Sequence, residues 1–311
     1  RTLHRAGIPR AALQLVPGRG SVVGAKITSD PRIDGVALTG STETARRINR
    51  SLAARDAPLA AFIAETGGQN AMIVDSSALP EQVVRDVIRS AFHSAGQRCS
   101  ALRVLFLQED VAERTLRLLK GFMEELEIGD PALLSTDVGP VIDRDALAGL
   151  EAHIARMEQE GRIIARCDLP AAAARGTFCP PTVVRIDGIG QLEREVFGPI
   201  LHVVRYAARD LERVIDEVNA TGYALTFGVH SRIDARAREV FAKVNAGNVY
   251  VNRNIVGAVV GVQPFGGSGL SGTGPKAGGP GYLHRFMTER TLTINTSAVG
   301  GNASLLSLSD G

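Results

Sequence analysis

Cysteine is scarce in this chain of 311 residues, and its placement excludes a disulfide framework. The three cysteines, Cys99, Cys167 and Cys179, form no Cys-x-x-Cys pair and leave an odd number. Disulfide frameworks in secreted domains use paired, even-numbered cysteines, whereas isolated thiols are typical of a reducing compartment. We therefore expect a cytoplasmic protein.

Long apolar runs and an excess of one charge are also missing. No apolar segment reaches the ~18 residues that a membrane-spanning helix needs, and no signal peptide opens the chain. The formal net charge is +2, and the basic residues are scattered rather than clustered. These features predict no membrane span and no nucleic-acid partner. The histidines lack the spacing of metal ligands, so no metal site is predicted.

The chain does contain enough apolar sequence, 44% of its residues, for one large core or two modest ones. Strand-like and helix-like segments alternate, which indicates an α/β fold with parallel strands and crossover helices. Helices are predicted at the N-terminus and at 44–54, 80–96, 111–125, 144–160, 211–219 and 235–243. Strands are predicted at 13–16, 33–39, 59–64, 71–74, 102–107, 163–167, 182–185, 200–205, 227–231, 247–252 and after 293.

The most informative stretch is 90–104, SAFHSAGQRCSALRV, which surrounds Cys99. Apolar residues three or four apart predict a helix that runs down to Gly96 and leaves Cys99 in a loop. A thiol at the end of an element can reach a substrate and act as a nucleophile. The alternative is that Cys99 is a small buried apolar residue, the commoner role of a lone cysteine.

Two glycine-containing turns could bind a nucleotide. The first follows the predicted strand 13–16 and contains Gly18, Gly20 and Gly24; the second is Gly40-Ser41, just before the helix at 44–54. Backbone N–H groups at a helix N-terminus attract anions, so the second turn suits a pyrophosphate. Alternatively, Ser41 only caps the helix.

Two carboxylates are candidates for chemistry or binding. Glu65 ends a predicted strand and precedes Thr66-Gly67-Gly68, and Glu195 precedes Val196-Phe197-Gly198-Pro199. In isolation each could be an ordinary surface residue beside a turn. From the residues alone, a surface role and a role in a site both stay open for each.

Together these motifs resemble the aldehyde dehydrogenase superfamily. Gly96-Gln97-Arg98-Cys99 follows Glu65 of AETGGQNA by 34 positions, and EVFGP follows in the family's order. The stretch 251–281, VNRNIVGAVVGVQPFGGSGLSGTGPKAGGPG, and the tail TLTINTSAVGGNASLL resemble the aldehyde dehydrogenase half of the bacterial proline utilisation A flavoenzymes. The likeness covers essentially the whole chain. It implies the aldehyde dehydrogenase fold, with the end of a Rossmann-like NAD-binding domain at 1–66, a catalytic domain at 67–265 and a returning segment with an interface tail at 266–311.

The resemblance also implies a role for each motif residue. Cys99 would be the nucleophile and Glu65 the base. The residues implied to bind NAD are Val23, Gly24, Gly40, Ser41, Thr66, Gly67, Glu195 and Phe197. The residues implied to bind substrate are Ser100, Gly257, Ala258 and Phe265.

The implied reaction is NAD-dependent oxidation of L-glutamate γ-semialdehyde, the open form of pyrroline-5-carboxylate, to L-glutamate. The chain begins inside a helical pattern without a start methionine, so we expect a fragment of a homo-oligomeric bacterial protein. Its full-length form would also contain a proline dehydrogenase domain, the only part expected to bind FAD. Two alternatives remain open: another hydrolytic aldehyde dehydrogenase specificity, and a truncated scaffold or oligomerisation module without catalysis.

Overall fold

The computed structural model describes residues 1–295. Its centre is a seven-stranded sheet in the order β10-β9-β3-β4-β7-β6-β5. All neighbours in it are parallel except β5, which runs antiparallel to β6. The bounds are β3 Ala71–Val74, β4 Val104–Gln108, β5 Ile163–Arg166, β6 Thr182–Arg185, β7 Ile200–Tyr206, β9 Thr226–His230 and β10 Asn248–Val251.

The strands of this sheet form the core because their side chains are apolar on both faces. Leu105, Phe106 and Leu107 of β4 are fully buried. Continuous apolar strands of this kind are typical of a parallel sheet covered by helices on both sides. Burying each such side chain stabilises the fold by about 1.5–3 kcal/mol relative to leaving it exposed.

Eight helices have α-helical geometry in the described part of the chain, and several cover the central sheet. In α4 the buried residues recur three or four apart, among them Val84, Val87, Ile88 and Ala91. This spacing presents one apolar stripe to the core. The bounds are α1 Thr2–Arg5, α2 Ala25–Ser29, α3 Thr42–Ala53, α4 Pro80–Phe92, α5 Glu109–Glu124, α6 Arg144–Gln159, α7 Leu211–Ala220 and α8 Asp234–Lys243.

A separate parallel pair is formed by β1, Gly35–Thr39, and β2, Ala61–Glu65, with Thr39 opposite Glu65. The segment after 265 joins this pair to the rest of the molecule. It forms β11, Ser268–Gly269, antiparallel to β8, Tyr223–Ala224, and the Thr273 backbone N–H donates to the Ala64 carbonyl at 2.9 Å. Glu65 at the end of β2 is thereby placed beside the central sheet.

Three sequence predictions are corrected. Residues 13–16 form no strand, because they have no partner strand in the described part of the chain and Leu15 is 90% exposed. The helix before Cys99 ends at Phe92, short of Gly96. Strand β5 is antiparallel, since no crossover helix separates it from β6.

The other predicted helices and strands up to residue 252 lie within a few residues of those observed. The strand predicted after 293 falls almost entirely outside the described residues. No helix between residues 1 and 295 is long and apolar enough to cross a membrane.

Candidate active site

One cavity of about 1070 Å³ lies between the two-stranded pair and the central sheet. Its wall includes Cys99, Glu65 and Glu195, which are far apart in sequence. The other predicted residues in its wall are Gly40, Ser41, Gly67, Phe197, Ser100, Ala258 and Phe265. The fold therefore brings most of the predicted site residues to one place.

Cys99 follows a short turn of unusual backbone geometry. Ser94, Ala95 and Gly96 have φ of 56°, 51° and 64°, which places three consecutive residues in the left-handed region. Residues other than glycine rarely adopt this conformation, and it is often found at functional sites. The turn ends α4 earlier than its apolar periodicity predicts and re-aims the chain toward the cavity.

Close packing fixes the turn. A Cβ atom at Gly96 would lie 2.1 Å from the Gly198 carbonyl oxygen, so only glycine allows this approach. After the turn, the Asn70 side chain donates from Nδ2 to the carbonyls of Cys99 at 2.7 Å and Ala101 at 2.9 Å. Asn70 thus holds both sides of the nucleophile position, a role that sequence patterns do not indicate.

The Cys99 thiol is in a poorly solvated position. Burial raises its pKa above the ordinary value, and the negative charges of Glu195 and Glu65 act in the same direction. The thiol is therefore mainly protonated at neutral pH in this state. Its deprotonation requires a base or a change in its surroundings.

Glu65 lies at the end of β2 with its carboxyl group largely removed from water. Oε2 accepts a hydrogen bond from the Gly267 backbone N–H at 3.3 Å, while Oε1 is buried without a partner. Burial raises the pKa of Glu65 to about 7, against the opposing effects of the Gly267 N–H and the Lys276 charge. A carboxyl group with a pKa near 7 is well suited to general base catalysis at neutral pH.

Glu195 is held beside the glycines that follow Glu65. Oε2 accepts from the Gly68 backbone N–H at 3.2 Å, and a Cβ atom at Gly67 would lie 1.8 Å from the same oxygen. Burial raises the pKa of Glu195, while the positive charge of Arg103 opposes this shift. The absence of a side chain at Gly67 is therefore required for this carboxylate position.

Sequence reasoning missed the partner of Glu195. Arg103 is 1% exposed and donates to Glu195 Oε1 from Nε at 3.1 Å and from Nη2 at 2.8 Å. Its guanidinium also lies 5.0 Å from the centre of the Phe197 ring. The available sequence signal was a single arginine between the apolar residues Leu102 and Val104, which indicates a buried position. A buried arginine is nearly always paired with an acidic group, so such a partner could have been predicted.

The predicted cofactor residues divide into two groups. Ser41 caps α3 by accepting from the Thr44 backbone N–H at 3.2 Å, and it lies with Gly40 in the cavity wall. Val23 and Gly24 belong to a short helical segment, Gly20–Gly24, outside that wall. Thr66 is also outside the wall, where its hydroxyl donates to the Leu270 carbonyl at 2.6 Å.

The predicted substrate residues lie near Cys99, with one exception. Ser100 is buried in the wall beside Cys99, and Ala258 and Phe265 line the same cavity. Gly257 is adjacent in sequence but is not part of the wall; its φ of 75° marks a turn that few other residues allow. The loop from 256 to 265 therefore faces the cavity through only some of its residues.

Comparison with known proteins gives consistent results. The aldehyde dehydrogenase family model matches residues 1–292. The bifunctional protein PutA of Klebsiella aerogenes is 55% identical over 296 residues, which are 93% of this chain and 23% of that protein. The 1-pyrroline-5-carboxylate dehydrogenase of Geobacillus kaustophilus is 37% identical over 297 residues, 94% of this chain and 57% of that enzyme.

Solved structures agree with these relatives. A mutant of Bradyrhizobium japonicum proline utilization A matches with a TM-score of 0.90 and 59% identity over 96% of this chain and 30% of that one. A Thermus 1-pyrroline-5-carboxylate dehydrogenase with bound NAD matches with a TM-score of 0.84 and 35% identity over 91% of this chain and 55% of that one. The chain thus spans about a quarter of the PutA proteins and just over half of the single-function enzymes. Because the family model covers nearly its whole length and the cavity unites the expected motifs, the chain belongs to the aldehyde dehydrogenase family.

Proposed function

We propose that this chain contains the catalytic centre of an NAD-dependent enzyme that oxidises L-glutamate γ-semialdehyde to L-glutamate. The observation that supports it best is the meeting of Cys99 and Glu65 in one cavity, although Cys99 lies in a turn before β4 of the central sheet and Glu65 ends β2 of the separate pair. A nucleophile and a base are the two groups that this oxidation needs from the protein. The names of the relatives, PutA and 1-pyrroline-5-carboxylate dehydrogenase, support the substrate.

In the first step, Cys99 releases its proton to solvent water and the thiolate Sγ attacks the aldehyde carbon. A carbon–sulfur bond forms, the carbonyl becomes an oxyanion, and the product is a thiohemiacetal on Cys99. The backbone N–H of Cys99 is the proposed donor to that oxyanion. Collapse of the thiohemiacetal re-forms the carbonyl as a thioester, and the hydride that leaves its carbon would be taken by the acceptor that bound NAD would supply.

In the second step, Glu65 removes a proton from water as the water attacks the thioester carbon. The carbon–sulfur bond breaks, the Cys99 thiolate leaves, and the carboxylic acid product forms. Glu65 lines the cavity, and its Oε1 atom makes no hydrogen bond but is buried, so the carboxyl group must turn toward the cavity to accept the proton. The raised pKa of Glu65, about 7, makes proton uptake favourable at neutral pH.

The residues present fit an NAD molecule in the same cavity. The N-terminus of α3 presents Gly40 and Ser41 to the cavity and suits a pyrophosphate. Glu195 suits ribose hydroxyls, since it lies in the cavity wall and its Oε2 atom accepts only the Gly68 hydrogen bond. NAD, when bound, supplies the hydride acceptor. The contributions of Phe197, Thr66, Val23 and Gly24 to binding remain predictions.

The substrate is an amino acid with an aldehyde at its far end, so its carboxylate needs hydrogen-bond donors of its own. We assign these to the Ser100 hydroxyl and to the backbone N–H groups of Ala258 and the preceding Gly257, with Phe265 packing on the aliphatic part. These contacts distinguish the proposed substrate from a simple aliphatic aldehyde. An aldehyde dehydrogenase that acts on a different aldehyde would differ in these contacts.

We further propose that the chain belongs to a longer cytoplasmic bacterial protein that forms homo-oligomers. The PutA relative of Klebsiella aerogenes is about four times as long as this chain and is a bifunctional protein. A proline dehydrogenase domain in the same polypeptide would produce the substrate, and FAD would bind there. The domain boundaries at 66 and 265 also remain predictions.

The test is NADH formation from pyrroline-5-carboxylate, measured for this chain and for the longer polypeptide. Cys99→Ala should remove turnover, by more than roughly a thousandfold, because no other group supplies the covalent intermediate. Cys167→Ala is the matched control and should retain activity, since Cys167 lies outside the cavity wall. Turnover by the Cys99 variant would contradict the mechanism. Equal turnover of propionaldehyde and pyrroline-5-carboxylate would contradict the substrate.

A further inference from the structure

Arg103 occupies a position that the proposed chemistry does not by itself explain. It is among the largest fully buried side chains of the described residues and lies next to β4, between the nucleophile turn and the Glu195 loop. Its backbone is fixed by the sheet: the N–H donates to the Asn70 carbonyl at 2.9 Å, and the carbonyl accepts from the His202 N–H at 2.9 Å. The guanidinium therefore extends from a rigid base.

The guanidinium contacts two loops at once. On one side it donates to Glu195 Oε1 through two nitrogens, at 3.1 and 2.8 Å. On the other side Nη1 donates to the Gly96 carbonyl at 2.7 Å and Nη2 donates to the Arg98 carbonyl at 3.0 Å. Gly96 lies three residues before Cys99 in the sequence, and Arg98 lies one residue before it.

The guanidinium makes one further contact, with the backbone of the Glu195 loop. Nη1 also lies 3.3 Å from the carbonyl oxygen of Gly198, in the loop that contains Glu195 and Phe197. A planar guanidinium has five N–H donors in a fixed fork, so one group can satisfy acceptors on both loops. Lysine has the same charge but cannot present donors in this geometry. One side chain thus bridges the two loops, in addition to the direct packing of Gly96 against Gly198.

We infer that Arg103 is a positioning residue that holds the Cys99 turn and the Glu195 carboxylate in fixed relation, so that thiol reactivity and cofactor binding both depend on it. The inference about Glu195 rests on the proposed function, whereas the inference about the Cys99 turn does not. Arg103 acts through these groups and is given no contact with substrate.

The first test follows alkylation of the three cysteines by iodoacetamide in Arg103→Lys, without cofactor or substrate. The Gly96 and Arg98 carbonyls lose donors, so the turn loosens and Cys99 should react about tenfold faster, the ratio expected for loss of one charge-assisted hydrogen bond. Cys167 and Cys179 serve as internal controls and should keep their rates. Arg205→Lys is the matched control variant, because Arg205 pairs with Glu113 outside the cavity.

Unchanged Cys99 alkylation in Arg103→Lys would overturn the inference. A parallel rise at all three cysteines would also overturn it, since general loosening of the fold affects Cys179, which is 1% exposed, as much as Cys99. Should Arg103→Lys fail to fold, Glu195→Ala and Glu195→Gln address the same contact from the other side. Both variants remove the negative charge that raises the Cys99 pKa, so both should speed alkylation of Cys99. Only Glu195→Ala also removes the oxygen that accepts from Arg103, so it should speed alkylation further than Glu195→Gln does. Equal Cys99 rates in Glu195→Ala and Glu195→Gln would overturn the inference.

The second test measures NAD binding by calorimetry. Arg103→Lys should weaken NAD binding about tenfold. The double variant with Glu195→Gln should bind NAD no more weakly than the weaker of the two single variants, because binding losses from residues in one network are not additive. Additive losses would overturn the link between the two residues. If the wild type binds no NAD, the proposed function fails, while the alkylation result still decides the role of Arg103 at the Cys99 turn.

Discussion

The central sheet and the two-stranded pair differ sharply in burial. All five residues of β4 are buried, whereas β1 alternates between exposed and half-buried residues. The same contrast holds for helices: seven residues of α4 are buried but only Ala45 of α3. The central sheet therefore provides most of the packing energy, while the less buried pair contributes Glu65 and the α3 N-terminus to the cavity.

This division separates the two proposed chemical steps. Cys99 and Glu195 are held on the side of the central sheet, and Glu65 is held on the side of the pair. The segment from Phe265 to Thr273 joins them, through the Gly267 N–H to Glu65 and the Thr273 N–H to Ala64. A substitution of Cys99 should then change the first step, attack on the aldehyde. A substitution of Glu65 should change the second step, hydrolysis of the thioester.

Glu65→Gln should produce the largest difference between the rates of the two steps. The amide cannot accept a proton from water, so hydrolysis of the thioester should slow by roughly a hundredfold to ten-thousandfold. Attack by Cys99 does not need Glu65 in this mechanism, so a burst of NADH equal to the enzyme concentration should remain. Rapid-mixing absorbance of NADH measures both phases.

The control for this prediction is Glu81→Gln, which changes an exposed carboxylate paired with Arg114. It should keep both the burst and the steady state. Loss of the burst together with the steady state in Glu65→Gln would mean that Glu65 also acts in the first step.

Matched leucine truncations compare the packing of the two regions. Leu105→Ala in β4 creates a cavity in the fully buried core and should reduce the free energy of unfolding by about 2–5 kcal/mol. Leu38→Ala in β1 removes a half-buried side chain and should cost less than about 1.5 kcal/mol. Urea denaturation followed by circular dichroism measures both. Similar losses would show that the pair is packed more tightly than its exposure indicates.

The sequence predicted local elements better than it predicted contacts between residues that are distant in the chain. Strands such as β3 and β6 were placed correctly because apolar runs bounded by turn residues depend on local sequence. Cys99 and Glu65 were recognised as partners only through the family resemblance, because no local pattern joins residues from different sheets. The segment at 13–16 has the apolar character of a strand, but strand formation depends on a neighbour that local sequence does not reveal.

The Arg103 network was missed for a related reason. Its acceptors lie on residues 96, 98, 195 and 198, and three of these are backbone carbonyls that carry no sequence signature. The left-handed turn at Ser94 and Ala95 was also unpredictable, since neither residue type favours positive φ. Tertiary contacts with the Gly198 loop override the local helical preference there.

The pH dependence of the two steps should differ as well. Glu65 acts as a base only when ionised, and its pKa of about 7 means that the protonated, inactive form dominates at lower pH. Steady-state turnover limited by hydrolysis should therefore fall about tenfold per pH unit below that value. The burst depends on Cys99, whose pKa is raised by burial, so its rate should keep rising into the alkaline range. Stopped-flow pH profiles of both phases test this; coincident profiles would contradict separate groups.

The smallest expected effect compares helix caps in the two regions. Ser41 caps α3 through the Thr44 N–H, and Asp143 caps α6 through the Ala146 N–H at 2.8 Å. Ser41→Ala and Asp143→Ala should each reduce the free energy of unfolding by about 1 kcal/mol, because each removes the side-chain acceptor of one backbone N–H at a helix N-terminus. Only Ser41 is in the cavity wall, so only Ser41→Ala should also raise the KM for NAD. If both variants lose stability equally while neither changes that KM, the hydroxyl serves as a helix cap alone, and the pyrophosphate must be bound by backbone N–H groups.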